Sequence, residues 1–231
     1  YPHIAYHLFS GNADDVTERL DRGLVDFGVF IEPADLSKYD FIKLPVTDIW
    51  GVLMRKDCPL AARPTIRPQD LLGLPLLASN QHLVKNEFSG WFGEGYEKLN
   101  ITTTYNLLYN ASIMVEEGMG YALCLDKIVR TSGGSPLCFR PLEPKLEVGL
   151  HIAWKKYQFF SKAAEKFLEC LQREIADRRE ADSPAYQKSH RQADAKGEEV
   201  LFWKNPLPLW SILLLLTDYI RSGVRLQWRS R

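Results

Sequence analysis

The amino-acid sequence predicts an α/β fold, and three observations support this prediction. Residues 4–9 and 25–31 have the apolar pattern of strands and flank an amphipathic helix. This strand–helix–strand order is a βαβ unit, which implies a parallel sheet. Further apolar strands alternate with helices along the chain, and a closing helix that begins at Ser161 carries apolar residues on one face.

The first unit has clear turn and cap signals. Residues 10–12, Ser-Gly-Asn, form a turn that can cap the helix, and Asp14 and Asp15 follow in its first turn. Carboxylates at that position interact favourably with the helix dipole. Gly23 stands just past the helix end, where a left-handed backbone is common. The nearly continuous apolar run at 25–31 predicts a strand that is buried on both faces.

The chain continues in the same way up to the closing helix. Turn residues separate short apolar runs, which predict strands, from segments with helical periodicity. Strands are predicted at 41–46, 50–54, 74–78, 101–106, 121–125 and 148–154. Helical segments are predicted at 66–72, at 111–117 and through the aromatic stretch that contains Trp91 and Tyr96.

Composition and charge narrow the possible function classes. The 231 residues carry 29 Lys and Arg against 29 Asp and Glu, so the formal net charge is zero. Such a chain lacks the basic excess of a DNA-binding surface, and direct DNA binding is not expected. The four cysteines, at positions 58, 124, 138 and 170, form no Cys-x-x-Cys pair, so no zinc site is predicted. Each lies in or beside an apolar run, which predicts buried, reduced thiols and suits the cytoplasm.

The chain changes character at about residue 177. Residues 177–199 are charged, poor in apolar side chains and without periodicity, so disorder is predicted there. Residues 207–220 form an apolar run of about 14 residues, whereas a helix needs about 20 to span a bilayer. No membrane span is predicted, and this run is expected to be a short helix if it is ordered.

Three motifs resemble elements of one known family. Residues 20–29, LDRGLVDFGV, resemble the family's L-x-x-G-x-L-D-x-x-I element. Residues 115–123, VEEGMGYAL, resemble V-x-x-G-x-G-I-A-x-L-P, although Asp126 stands near the position of the usual proline. Residues 161–168, SKAAEKFL, resemble the closing S-x-A-A-x-x-F helix. The family that these motifs resemble is the effector-binding domain of LysR-type transcriptional regulators. The resemblance covers residues 1–176 and keeps the family's order of motifs.

The resemblance implies an N-terminally truncated, two-lobed fold like that of periplasmic binding proteins. Lobe one would comprise residues 1–72 and 137–176, lobe two residues 75–132, and residues 177–231 would be a tail outside the family. By the same resemblance, the given sequence is expected to lack the family's winged helix-turn-helix and the first strand and first helix of its effector domain.

The missing strand leaves a gap in the expected sheet. In the family it lies between the two strands of the first predicted unit, so these strands must pair with each other or be covered by another segment. Residues 207–220 are the only unassigned segment expected to be able to cover them. A tail without a structural role is favoured, because it does not resemble the family.

In this fold a ligand binds in the cleft between the lobes, near the carboxyl ends of strands. Backbone N–H groups and small polar side chains at such positions can hold an anion or an amide. Asn106 precedes the helix at 111–117 and lies in the same region. Helix capping is the alternative role for the serines and asparagines, and a solvated strand end is the alternative for Glu32. The candidate ligand-binding residues are Ser10, Gly11, Glu32, Ser79, Asn80, Asn110 and Ser112.

The resemblance implies that the chain senses a small-molecule effector, an unidentified metabolite that shifts the relative position of the lobes. No catalytic residue, cofactor or metal site is predicted. In the intact regulator the domain would belong to a cytoplasmic homo-oligomer. Two alternatives remain: the solute-binding protein of a transporter with the same fold, and an enzyme built on a two-lobed scaffold.

Overall fold

Strands and helices alternate along most of the chain. The computed structural model describes residues 6–181 and 225–228. The strands are β1 (Tyr6–Phe9), β2 (Gly28–Ile31), β3 (Tyr39–Arg55), β4 (Leu76–Ser79), β5 (Ile101–Tyr105), β6 (Tyr121–Leu125), β7 (Leu137–Pro141), β8 (Glu147–Lys155) and β9 (Arg225–Trp228). The α-helices are α1 (Ala13–Asp21), α2 (His82–Phe92), α3 (Leu108–Glu116) and α4 (Lys162–Ala181). Short 3-10 helices cover Pro59–Ala62, Pro68–Leu71 and Gly93–Lys98.

The main sheet is organised around its longest strand, β3. Six of its seven strands follow the order β2-β8-β3-β6-β4-β5, and β7 pairs with β3 off this path. The first part of β3 pairs with β8, and its last part pairs with β6 and β7, all antiparallel. β4 pairs in parallel with both β5 and β6. The predicted α/β class is confirmed, and the parallel part of the sheet lies around β4.

The first helix, α1, has the cap that the sequence predicts. Asn12 Oδ1 accepts a hydrogen bond from Asp15 N at 2.9 Å, and Asp15 Oδ2 accepts one from Asn12 N at 3.0 Å. This reciprocal pair satisfies two backbone donors at the start of the helix. Val16 and Leu20 bury the apolar face of α1. Gly23 follows the helix with φ of +66°, the left-handed backbone that commonly ends a helix.

The first strand–helix–strand unit does not form the parallel pair that its pattern predicts. β1 pairs antiparallel with β9, with Tyr6 opposite Trp228, whereas β2 pairs antiparallel with β8. Periodicity indicates the type of an element, but the neighbour of a strand depends on tertiary contacts. The segment that pairs with β1 is Arg225–Trp228. The predicted candidate for this role, residues 207–220, lies outside the described residues.

The closing helix, α4, is longer than predicted. It spans Lys162–Ala181, so the disorder predicted from residue 177 is wrong for residues 177–181. Ser161 caps the helix as predicted, because its Oγ accepts a hydrogen bond from Ala164 N at 3.2 Å. Ile175 is still buried, and once the buried face has formed, adding each further turn costs little. Residues 182–199 lie outside the part of the chain that is described.

Two further differences from the prediction concern β3 and β7. The strands predicted at 41–46 and 50–54 are one strand, whose register with β8 shifts between Lys43 and Thr47. Pro45 lies in this interval and has no N–H to donate to the ladder, so the pattern breaks although the strand continues. β7 was not predicted, because it follows a glycine- and serine-rich connection and ends in Arg-Pro.

Buried side chains form separate groups on the sheet. Phe27 and Ile152 belong to a group that packs β2 and β8 against α4. Ile66 belongs to another group, in which it packs with Leu76 and Phe88. This second group combines residues from both predicted lobes, because the end of β3 pairs with β6. The predicted boundary between the lobes stays a prediction.

The four cysteines are free thiols. Cys124, Cys138 and Cys170 are buried as predicted, whereas Cys58 is only half-buried because it lies in the turn after β3. Burial raises the pKa of the Cys124 and Cys138 thiols above the ordinary value. These two thiols therefore stay protonated at neutral pH and are poor nucleophiles.

Candidate ligand-binding site

A cavity lies where the carboxyl ends of β4 and β5 meet the first turns of α1 and α3. Its volume is about 360 Å³, which is within the range of small-molecule sites. Asn80 follows β4 and Asn106 follows β5, so the parallel pairing of these strands brings both residues to one edge of the sheet. The wall consists of Asn12, Asp15, Asn80, residues 103–106, Asn110, Ala111 and Met114.

Two of the seven predicted site residues, Asn80 and Asn110, line this cavity. Asn80 N donates a hydrogen bond to Tyr105 O at 2.9 Å, which fixes the turn after β4 against the end of β5. Asn110 lies in the first turn of α3. Both residues are exposed, so their side-chain amides are accessible from the cavity. That they bind a ligand stays a prediction.

Ser10 and Gly11 lie directly beside the cavity wall, since they precede Asn12 in the chain. Gly11 is buried, and a Cβ atom added to it would lie 2.7 Å from Asp15 Cβ. The chain can approach the start of α1 this closely because glycine has no side chain there. Gly11 therefore shapes the wall, and direct ligand contact by Ser10 or Gly11 stays a prediction.

Ser112 does not line the cavity. The helix predicted from Ala111 begins at Leu108, so Ser112 lies inside α3 and not at its start. Its Oγ donates a hydrogen bond to Tyr109 O at 2.7 Å, and the residue is buried. The hydroxyl thus satisfies the backbone of its own helix.

Glu32 belongs to a separate polar group at the end of β2. Its Oε2 accepts a hydrogen bond from Gly149 N at 2.7 Å, and its Oε1 accepts one from Lys43 Nζ at 3.1 Å. Burial raises the pKa of Glu32, but these two hydrogen bonds outweigh it, so the pKa lies below its usual value. His151 Nε2 is 3.6 Å from Glu32 Oε1, and burial lowers the pKa of His151. The roles predicted for Glu32 and Ser112 in ligand binding stay predictions.

Gln81 connects two sides of the cavity. Its Oε1 accepts a hydrogen bond from Ala13 N at 3.2 Å, and its Nε2 donates one to Ser79 Oγ at 3.3 Å. Ala13 belongs to predicted lobe one, whereas Gln81 and Ser79 belong to predicted lobe two. The predicted site residue Ser79 therefore positions the Gln81 side chain, which links the two predicted lobes.

The polar groups of the wall are mostly uncharged. Among the described residues that line the cavity, Asp15 has the one charged side chain. The Tyr105 hydroxyl donates a hydrogen bond to Leu123 O at 2.6 Å, and burial raises the pKa of Tyr105. Tyr105 is therefore a structural part of the wall. Asparagine amides and threonine hydroxyls supply the other polar side-chain groups, which suits a ligand held by hydrogen bonds.

Sequence reasoning missed much of the wall. Asn12 and Asp15 were assigned to helix capping, which they do perform, and residues 103–105 were assigned to a strand. The signal that could have found them is positional. The run Thr-Thr-Tyr-Asn at 103–106 ends the strand that neighbours β4, beside the predicted residue Asn80.

Within residues 6–181 and 225–228, no group of three or more His, Cys, Asp or Glu side chains is placed to hold a metal ion. In the same ranges, every helix is too short or too polar to cross a membrane.

Comparison with known proteins gives a family match. Residues 1–176 match the model of the LysR substrate binding domain family. The chain belongs to the LysR substrate-binding domain family. The family is one of transcriptional regulators, so this membership favours a regulatory domain over the solute-binding protein of a transporter. It is also not an enzyme family.

The chain is also similar to part of a longer regulator. The chain is 28% identical over 175 residues to the uncharacterized HTH-type transcriptional regulator YvbU of Bacillus subtilis (strain 168), covering 73% of this chain and 57% of that protein. The chain thus spans little more than half the length of this relative.

Solved structures show the same fold. HinK, a LysR family regulator from Pseudomonas aeruginosa, superposes with a TM-score of 0.58 at 20% identity, covering 71% of this chain and 58% of that chain. The regulatory domain of Synechocystis PCC6803 CcmR, solved in complex with 2-PG, gives 0.56 at 15% identity and covers 71% of this chain and 80% of that one. The reduced OxyR regulatory domain of Pseudomonas aeruginosa gives 0.56 at 20% identity, with 71% and 78% covered.

Proposed function

We propose that this LysR substrate-binding domain senses a small-molecule effector that binds in the cavity between α1, α3 and the ends of β4 and β5. The observation that carries the proposal is the composition of the wall. Asn12 and Asp15 come from the start of α1, whereas Asn80 and Asn110 come from the other side of the cleft. A ligand that contacts all four would contact both predicted lobes at once.

Such a ligand would act by shifting a conformational equilibrium. It would favour the arrangement in which α1 approaches β4 and β5, because only that arrangement offers both sets of contacts. The hydrogen bond between Gln81 and Ala13 already links these two sides. The effector would therefore strengthen, or replace, a contact that exists without it.

The wider role follows from the family. The related CcmR regulatory domain has been solved with the small molecule 2-PG, which supports a small metabolite as the ligand class. In an intact regulator, the change in lobe position would be transmitted through a homo-oligomer to DNA-binding domains on other parts of the chain. We place such a regulator in the cytoplasm, where its metabolite and its DNA are both present.

The proposal is tested by screening the purified chain against a metabolite library by thermal shift. Each hit is then titrated calorimetrically into the wild type, Asn110→Ala and Asn100→Ala. Asn100 is an exposed asparagine that precedes β5 and does not line the cavity. We expect Asn110→Ala to weaken binding about tenfold and Asn100→Ala to have no effect. Hits that bind both variants equally well would place the effector elsewhere.

A further inference from the structure

The charged side chains of the cavity wall are not those expected of a site that holds an anion. Asp15 is its one charged group among the described residues, and no Lys, Arg or His of the described chain lines it. Proteins bind carboxylates and phosphates through cationic side chains or through free N–H groups at helix starts. The described wall therefore has no cationic side chain that could bind an anion.

Three of the N–H groups at the start of α1 are also already hydrogen-bonded. Asn12 N is bonded to Asp15 Oδ2, Asp15 N to Asn12 Oδ1, and Ala13 N to Gln81 Oε1. At α3, the N–H of Leu107 is bonded to Asn106 Oδ1 at 2.9 Å. An anion entering beside α1 would displace these bonds and would also approach the Asp15 carboxylate.

Asp15, in contrast, offers an acceptor oxygen to a cation. Its Oδ2 is used by the helix cap, while no described residue gives Asp15 Oδ1 a hydrogen bond or an ion pair. The nearest basic residue along the same helix, Arg19, is directed to the ring of Phe9, with Cζ 3.7 Å from the ring centroid. An ammonium or guanidinium group in the cavity would therefore find an acceptor that has no competing cation.

The rest of the wall suits the uncharged part of such a ligand. Asn80, Asn106 and Asn110 are exposed, and each amide side chain can both donate and accept hydrogen bonds. Hydroxyl, amine and amide groups pair with such side chains in either direction. The volume of about 360 Å³ limits the ligand to a small molecule.

We infer that the effector is a small organic cation that also bears hydroxyl, amine or amide groups, with its ammonium or guanidinium group bound by Asp15. This inference rests on the proposed function, since it names the ligand class of the same cavity. Asn80, Asn106 and Asn110 bind the polar groups at the other end of the ligand.

The test uses the full chain and a thermal-shift library of soluble metabolites sorted by charge. One set contains amino sugars, amino alcohols, diamines and agmatine, a second set contains polyols and primary amides, and a third contains carboxylates and sugar phosphates. Hits are titrated calorimetrically into the wild type, Asp15→Asn and Asp14→Asn. Asp15→Asn keeps an oxygen for the helix cap. Asp14→Asn removes the same charge from the same helix turn, outside the cavity wall.

We expect hits in the cationic set, an affinity loss of about tenfold in Asp15→Asn, and unchanged affinity in Asp14→Asn. Carboxylate or phosphate hits that require Asn110 would overturn the ligand class while leaving the proposed function intact. Cationic hits that bind Asp15→Asn as tightly as the wild type would overturn the role of Asp15, and they too would leave the proposed function intact. A library without any hit that depends on Asn110 would contradict the proposed function itself.

Discussion

The side chain of Gln81 accepts a hydrogen bond from the backbone N–H of Ala13, with 3.2 Å between Oε1 and N. The bond spans 68 positions of sequence and joins the start of α1 to the turn before α2. Because this turn follows β4, any movement of α1 relative to the end of β4 must stretch or break the bond. The pair therefore links the cavity to the relative position of the elements around it.

Replacing Gln81 with alanine should weaken this connection. The loss of a half-buried hydrogen bond predicts a decrease of about 1 kcal/mol in the free energy of unfolding, measured by urea denaturation. Gln69→Ala is the matched control, since Gln69 is exposed and has no such bond. Equal unfolding midpoints for the two variants would show that the bond contributes nothing to stability.

His151 should make stability depend on pH. Its pKa in the folded protein lies below the usual 6.5, because burial disfavours the charged ring more than Glu32 favours it. His151 therefore binds a proton more readily in the unfolded chain than in the folded protein. Its contribution to the free energy of unfolding is complete above the pKa of the unfolded chain and is lost as the pH falls below that value.

The variant His151→Phe should remove this dependence. Between about pH 7.5 and about pH 5.5, the wild type should lose more stability than His151→Phe, as followed by urea melts at both values. His7→Phe is the control, because His7 lies exposed on β1. Parallel pH profiles of the wild type and His151→Phe would contradict the lowered pKa of His151.

Gly51 should tolerate no side chain. It lies in β3 between β6 and β7, and a Cβ atom there would overlap the ring of Phe139 and the carbonyl oxygen of Arg140. Gly51→Ala should cost about 2 kcal/mol or more in unfolding free energy, whereas Gly134→Ala, with open space around it, should be nearly neutral. Thermal melts of both variants distinguish the two cases, and equal melting temperatures would contradict the packing.

The strand β9 should protect β1. Deleting residues 225–231 removes the partner of Tyr6–Phe9, so the amides of β1 should exchange with deuterium faster. Those of β4, β5 and β6 should be unchanged, because these strands pair with each other. Deleting residues 229–231 alone is the control. Unchanged exchange in β1 after the longer deletion would contradict the pairing.

Local elements could be predicted from the sequence, but strand partners could not. Asn12, the acidic first turn and Gly23 indicate α1 because capping and helix termination depend on a few neighbouring residues. The pairing of β1 with β9 joins segments at opposite ends of the chain. No local pattern encodes it, so the sequence left open whether β1 would pair with β2 or with another segment.

The candidate site shows the same limit. Asn80 and Asn110 could be placed at the cavity because polar residues after a parallel strand, or at a helix start, converge at one edge of a sheet. Ser112 was placed at the start of α3, but the helix begins one turn earlier, at Leu108. Ser112 lies two positions after Asn110, and residues two apart do not share a helix face, so its side chain is directed away from the cavity that Asn110 lines.

The central claim is that the cavity is the effector site, and side-chain amide NMR tests it most directly. In a sample labelled with ¹⁵N at asparagine, the amides of Asn12, Asn80, Asn106 and Asn110 report on the wall, and that of Asn100 reports on a distant surface. The effector identified by the library screen should shift the four wall signals in proportion to its occupancy and leave Asn100 unchanged. Saturating binding that leaves the four wall signals in place would contradict the claim.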